Sequence, residues 1–210
     1  MKKNNSNLFV YYSMIFVVCL LLSNVLAAKL LAVGKFSITA GTIIFPISYI
    51  INDVLSEVYG YKKTKNIIIA GFALELFMII VFEVAIHLPA PIWFENGDAF
   101  ALILGSTPRI ALAGLISYLF GSLVNSKILV VMKNKNQKMF GLRAIISTVL
   151  GEAVDSLIFV PISFTGVLPI KEMISMILLL VIFKTLYETI CLPLTYFVVN
   201  KTKEYEKQQI

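Results

Sequence analysis

Apolar side chains fall in six long runs along this chain, at about residues 8–28, 38–59, 66–88, 110–132, 142–167 and 173–200. Each has roughly the 20 residues that a helix rising 1.5 Å per residue needs to cross about 30 Å of hydrocarbon. The pattern predicts an all-α integral membrane protein, with six transmembrane helices in a single multi-pass domain over residues 1–210. One connection is longer than the others, 89–109, and holds Trp93, Glu95 and Asp98; it reads as an amphipathic segment at the membrane surface. The first run follows Lys2 and Lys3, and Val25-Leu26-Ala27 has the look of a leader cleavage site. That run is long for a leader and five more follow it, so a retained first helix is the expectation.

Composition sharpens this picture. Of 210 residues, 59% are hydrophobic and 14% charged, with a mean hydropathy of +0.88. A soluble domain carries nearer a quarter charged residues, so little of the chain is left for one. The net charge of +6 matters through its placement and gives no reason to expect a nucleic-acid partner. If six spans alternate, one side collects Lys2, Lys3, Lys62, Lys63, Lys65, Lys133, Lys135, Lys138, Arg143, Lys201, Lys203 and Lys207. The other keeps Lys29, Lys35, Arg109 and Lys171. Basic residues stay inside, so both termini are expected in the cytoplasm. Tyr11, Tyr12, Tyr59, Tyr61 and Tyr196 then fall near the inner interface and Trp93 near the outer one. Cys19 and Cys191 lie in apolar runs, His87 is the one histidine, and no HExxH, CxxC or P-loop pattern is present. The expectation is therefore no metal, no cofactor and no ATP hydrolysis by this chain.

The candidate chemistry lies in the acids. Seven of twelve fall inside apolar runs: Asp53, Glu57, Glu75, Glu83, Glu152, Asp155 and Glu188. A charge near the bilayer centre costs roughly 2.5–3.5 kcal/mol by insertion scales, so such residues are retained for a partner, a water path or a ligand. Asp53 and Glu57 share a helix face at i,i+4, and Glu152 and Asp155 do so at i,i+3 with Ser156 continuing the polar surface. Glu75, Glu152, Asp155, Lys184 and Glu188 reach about mid-membrane depth. Simpler roles exist for several of them. Lys184 and Glu188 are i,i+4 and could neutralise each other. Glu57 could reach the inner surface and pair with Lys62 or Lys63. Glu75 could serve as an interhelical hydrogen-bond donor, and Glu83 and Lys127 could snorkel to an interface. Glu152 and Asp155 have no such escape, since no basic residue follows them on their helix.

Prolines add a second regularity. Pro46 lies seven residues before Asp53 on a span directed inward, and Pro161 six after Asp155 on a span directed outward. Both would sit outward of an acid at comparable depth. Proline frees a helix carbonyl, which a membrane protein tolerates beside a cavity. Paired interruptions in corresponding halves point to a transporter binding site, here between two inverted three-helix halves. The echo, Pro46-Ile47-Ser48 against Pro161-Ile162-Ser163, is short enough for chance to compete.

Residues 24–29 (NVLAAK), 40–42 (AGT), 45–63 (FPISYIINDVLSEVYGYKK) and 151–159 (GEAVDSLIF) resemble the bacterial queuosine-precursor transporters, grouped with the vitamin uptake transporters. The resemblance covers nearly the whole chain, and DVLSEVYG is its most specific part. Asn52 stands where many relatives have a small residue, and lysines follow Tyr61 where arginines are common. The resemblance implies six spans in a bacterial cytoplasmic membrane and import of 7-deazaguanine bases such as preQ0, preQ1 or queuine, for salvage into tRNA queuosine. Such a base offers an N–H and an amino group side by side to a carboxylate, and a carbonyl to a donor. On that footing Glu152 or Asp155 would take the first and Asn52 or Lys184 the second, with Ser156 on the same polar face. Asp53 would meet an aminomethyl group. Glu57, Glu75 and Glu188 are left to coupling or structure, and Tyr49, Phe159 and Phe164 could stack on the base.

Other classes stay open. A substrate-binding subunit of an energy-coupling-factor vitamin transporter is also small and six-helical, and Ala28-x-x-x-Ala32 could be its docking face. An intramembrane enzyme would need a catalytic motif that the chain does not display. A purely structural protein does not account for the buried charge. A homo-oligomer is compatible with all of these.

Overall fold

Five of the apolar runs are continuous helices in the computed structural model, which describes residues 6–27, 29–33, 36–105, 108–135, 137 and 139–208. Lys2, Lys3, Ala28, Lys35 and Lys138 lie outside the described residues. The long helices are α1 (Asn7–Ala27), α3 (Tyr61–His87), α5 (Pro108–Lys135), α6 (Phe140–Phe164) and α7 (Ile170–Gln208). Their bounds lie within a few residues of the apolar runs except where Lys and Glu, which favour helix, carry a helix past the lipid. α7 is the clearest case, running on through 201–208.

The second run is the exception. It is not one helix of spanning length. Strands β1 (Leu30–Val33) and β2 (Phe36–Thr39) pair antiparallel, with Leu30 opposite Thr39 and Val33 opposite Phe36. A 3-10 turn at Ala40–Ile43 follows, then helix α2 (Phe45–Val54) and a π turn (Leu55–Tyr59). The 10 residues of α2 and 5 of the π turn make 15, which rise at most about 22 Å at 1.5 Å per residue, short of the hydrocarbon thickness. Pro46 opens α2 instead of interrupting a helix, because it has no N–H to give and its φ already suits a first turn. Pro161, by contrast, stands inside the last turn of α6, so the two prolines do not play matching parts. Upstream of Phe45 the hairpin pairs the facing backbone groups of its two strands with each other. The candidate docking face Ala28-x-x-x-Ala32 falls partly outside the described residues, since Ala28 is not among them, while Ala32 belongs to β1.

Between α3 and α5 lies the short helix α4 (Gly97–Leu104), no residue of which is buried. Ile92 and Trp93 before it are exposed, so the segment lies on the outside of the bundle as its composition suggests.

α2 is the element around which the others pack. One side of it, Ile50 and Val54, joins Leu129 of α5, Phe140 and Ala144 of α6 and Val199 of α7. The other, Ile51 and Leu55, joins Phe9 and Phe16 of α1 and Ile68 of α3. Every residue from Ile50 to Glu57 is buried. Packing on both sides explains how a segment of only 15 helical residues holds its place at the centre of the bundle.

The helix ends are also gathered. Ser6 before α1 donates to Glu206 of α7 and lies 3.4 Å from Tyr59 Oη, which itself donates to Glu206 at 2.8 Å. Tyr12 and Thr202 hydroxyls are 2.7 Å apart. The start of α1, the end of the π turn and the end of α7 therefore share one end of the bundle. Gly60 makes the turn from there into α3 with φ 84° and ψ 162°, a conformation open essentially to glycine alone.

Candidate functional site

A close helix crossing lies beside the polar centre of the protein. Gly121 of α5 meets Gly151 of α6 so tightly that a Cβ on Gly121 would stand 2.9 Å from Asp155 Cβ, and one on Gly151 2.8 Å from Asn125 Cβ. Small residues let two membrane helices approach backbone to backbone. Here the approach also fixes the depth of the polar side chains one turn away on each helix, Asn125 and Asp155. A cleft opens at this crossing, lined by Tyr49 of α2, Tyr118, Gly121, Ser122 and Asn125 of α5, and Gly151, Glu152 and Asp155 of α6. Its cavity volume is about 10 Å³, room for about one water molecule and far below the roughly 300 Å³ at which ligand pockets usually begin. A two-ring ligand would need the walls to part.

α7 supplies the cation. Lys184 Nζ stands 2.7 Å from Glu152 Oε2 and 2.7 Å from Asp155 Oδ2, so two carboxylates share one ammonium. One turn along α7, buried Glu188 accepts from Thr148 Oγ1 of α6. Lys184 and Glu188 thus turn to different partners on α6 and do not neutralise each other, because the packed neighbour helix offers shorter routes than the helix's own surface. Asp53 of α2 is 1% exposed and lies within electrostatic reach of Glu188, which in turn is within reach of Glu152. The four acids therefore form a chain, Asp53, Glu188, Glu152, Asp155, against Lys184. Asp53 Oδ1 and Glu188 Oε2 are buried without a hydrogen-bond partner among the described residues. Buried charge in such excess must be met by protons, water or a ligand cation.

The remaining sequence candidates fall around this centre. Asn52 accepts from Ser126 Oγ of α5 at 3.2 Å, which ties α2 to α5 and leaves Asn52 outside the cleft lining. Ser156 is fully buried, its hydroxyl without a partner among the described residues, and it too is outside the lining. Glu75 of α3 accepts from Asn24 of α1, an interhelical bond in which Asn24 is the donor, and it is not part of the cleft lining. Glu83 is partly exposed near the end of α3, 3.8 Å from His87, and Lys127 is exposed. Phe159 and Phe164 pack edge to face on each other, 6.1 Å between centroids, and only Tyr49 of the three proposed stacking residues reaches the cleft.

Glu57 is the clearest correction. It does not pair with Lys62 or Lys63. Its carboxylate is 1% exposed and is forked by Arg143, at 2.8 Å from Nη1 and 3.3 Å from Nη2. Lys203 Nζ stands 2.6 Å away and Lys133 Nζ 3.8 Å, and Lys133 also donates to the Glu57 carbonyl. The π turn directs Glu57 inward to the ends of α5, α6 and α7, whereas Lys62 and Lys63 follow the Gly60 turn onto α3.

The residues missed from sequence are Tyr118, Ser122 and Asn125, with the glycines that place them. Their signal is present in the fourth run, where Ser117, Gly121, Ser122, Asn125 and Ser126 gather small and polar residues at helical spacing within an apolar stretch.

Five helices among the described residues, long and apolar enough to cross a membrane and packed around a centre with buried charge, define a multi-pass helical membrane protein. Comparison with known proteins gives the family. Residues 39–198 match the family described as "Putative vitamin uptake transporter", and the chain belongs to it. It is also similar to the Bacillus subtilis protein named "Probable queuosine precursor transporter", 23% identical over 177 residues, which cover 83% of this chain and 77% of that one. No solved structure matches the chain.

Proposed function

We propose that this chain imports queuosine precursors, 7-deazaguanine bases, through the cleft between α2, α5 and α6, with the base held by Glu152 and Asp155. The observation that carries the reading is the pair of carboxylates sharing Lys184 at a cleft walled by Tyr49 and Tyr118. A guanine-like edge presents two adjacent donors, which one carboxylate accepts together, and Lys184 is then partly released toward the carbonyl. Ser122 and Asn125 add hydrogen-bonding groups, and the two tyrosines supply aromatic faces for stacking. Asp53 and Glu188, each with an oxygen lacking a partner among the described residues, suit the ammonium of an aminomethyl-bearing base. The lysine-rich end, where Ser6, Tyr59 and Glu206 meet, faces the cytoplasm on this reading.

The cleft must open for its cargo. α5 and α6 are locked at Gly121 and Gly151, so the wall that moves is α2 with its π turn, a local distortion of the kind found often at functional sites. Two ends opened in turn would give alternating access around a fixed site.

The test is uptake of a labelled 7-deazaguanine base by cells that lack both its synthesis and their native importer. Glu152→Gln keeps size but replaces an acceptor with a donor that faces donors. Loss of a hydrogen bond to a charged group, about 1.5–3 kcal/mol, corresponds to a fall of about 10–150-fold in transport at low substrate. Asp155→Asn should act likewise. If both variants reach the membrane in normal amounts and import normally, the site is wrong.

A further inference from the structure

The ion cluster at the lysine-rich end of the bundle holds more positive charge than its one acid can balance. Three cations converge on Glu57: Arg143 from α6, Lys203 from α7 and Lys133 from α5. They lie within electrostatic reach of one another. The nearby acids are committed elsewhere. Glu206 accepts from Tyr59 and Ser6, and Glu204 pairs with Lys201 at 3.3 Å on the outer side of α7. Lys63 turns away, with its ammonium 5.0 Å from the Phe9 ring centre and 5.9 Å from that of Tyr59. With Glu57 counted once, two positive charges remain over.

The burial of the three cations is graded. Arg143 is 2% exposed, with its Nε unpartnered among the described residues and its guanidinium 5.7 Å from the Phe140 ring centre. Lys133 and Lys203 are 28% and 36% exposed, so each has one side against Glu57 and another open to the surroundings. A guanidinium held at the back and two half-open ammoniums in front, at the end of a membrane helix bundle, are what an anionic headgroup needs.

We propose that Lys133 and Lys203, backed by Arg143, form a binding site for a phosphate group at this end of the bundle, with the headgroup phosphate of an acidic phospholipid as its occupant. The bound anion offsets the surplus charge around Glu57 and so holds the π turn, α5, α6 and α7 together. The site is separate from the cleft and does not depend on what the cleft carries. A free phosphate would satisfy the same chemistry, and the experiment separates the two sources.

The purified full chain is placed in nanodiscs of phosphatidylcholine, with phosphatidylglycerol titrated in, and its thermal unfolding midpoint is followed. A parallel series adds inorganic phosphate to phosphatidylcholine discs. The midpoint should rise with phosphatidylglycerol and saturate. At about 1 kcal/mol per lysine near an anionic surface, Lys133→Gln and Lys203→Gln should each weaken the half-saturating fraction about fivefold. Lys62→Gln and Lys65→Gln, exposed lysines on α3, should leave it unchanged, which a general attraction to negative membrane would not do. An equal response to inorganic phosphate alone would keep the site and overturn the lipid as its occupant. No saturable rise with either, or an equal loss from Lys62→Gln, would overturn the site itself.

Discussion

The Gly121–Gly151 crossing makes a sharp prediction, because two glycines in the same pair of helices should respond in opposite directions to the same change. Replacing a helix-interior glycine by alanine gains about 1 kcal/mol in helix propensity wherever the methyl has room. At Gly114 of α5 it has room, since the nearest atom to the new Cβ is Phe159 Cε2 at 3.9 Å. Gly114→Ala should therefore stabilise. At Gly151 the new Cβ would stand 2.8 Å from Asn125 Cβ and 2.9 Å from the Gly121 carbonyl oxygen, atoms fixed to backbone. Carbon atoms rest at about 3.5 Å or more, so α5 and α6 must separate locally by about 0.7 Å. Overpacking of this kind costs about 1–3 kcal/mol, against the same propensity gain. The propensity term cancels between the two variants and leaves Gly151→Ala about 1–3 kcal/mol less stable than Gly114→Ala. For a chain of this size that is about 2–12 °C in unfolding midpoint. The assay is thermal unfolding of both variants in one detergent at one scan rate, followed by dye reaction with Cys19, which is buried in the fold. Equal midpoints would refute the close crossing. Because the crossing also sets the positions of Asn125 and Asp155, Gly151→Ala should lose uptake beyond what its stability explains.

Three further outcomes follow from the same geometry. Gly60→Ala meets no atom within 4 Å, so its cost is backbone strain alone at φ 84°, about 1–3 kcal/mol, and a midpoint unchanged from wild type would contradict the turn. Lys184→Met leaves Glu152 and Asp155 buried without their cation and should destabilise by about 3–5 kcal/mol in a denaturation assay, whereas Glu83→Gln on the exposed end of α3 should leave stability and uptake unchanged. With Cys19 and Cys191 replaced by alanine, a cysteine at Asn96 should react with an impermeant thiol reagent from outside the cell and one at Lys207 only after the membrane is opened; the reverse pattern would invert the orientation.

What sequence could reveal depended on which physical rule governed each stretch. Long apolar helices are set by length and hydropathy alone, so α1, α3, α5, α6 and α7 were visible within a few residues. Residues 38–59 satisfied the same hydropathy rule while breaking it in backbone terms. β-Branched residues such as Ile38 and Thr39 serve a hairpin as well as a helix, and Pro46 fixes where helix can begin. That proline was the available signal, and its role as a helix start outweighed its role as a kink. The acids were equally visible, because lipid penalises them wherever they face. Their partners were not. Whether Lys184 meets Glu188 or α6, and whether Glu57 meets Lys62 or Arg143, depends on helix rotation and on the π turn, which periodicity does not encode. The cleft's α5 wall escaped notice because Ser122 and Asn125 carry no charge, although glycine and small polar residues in an apolar run mark a close crossing.

The central claim is that this chain by itself carries a 7-deazaguanine base across the membrane through the Glu152–Asp155 cleft. Counterflow into liposomes tests it most directly: the purified chain is reconstituted alone, the vesicles are loaded with unlabelled base, and entry of labelled base is followed with no ATP present. The account predicts rapid entry that is saturable, competed by excess 7-deazaguanine but not by an unrelated base, and lowered about 10–150-fold by Glu152→Gln. No entry without added ATPase subunits would favour an energy-coupling-factor subunit, and entry unaffected by Glu152→Gln and Asp155→Asn together would contradict the cleft as the path.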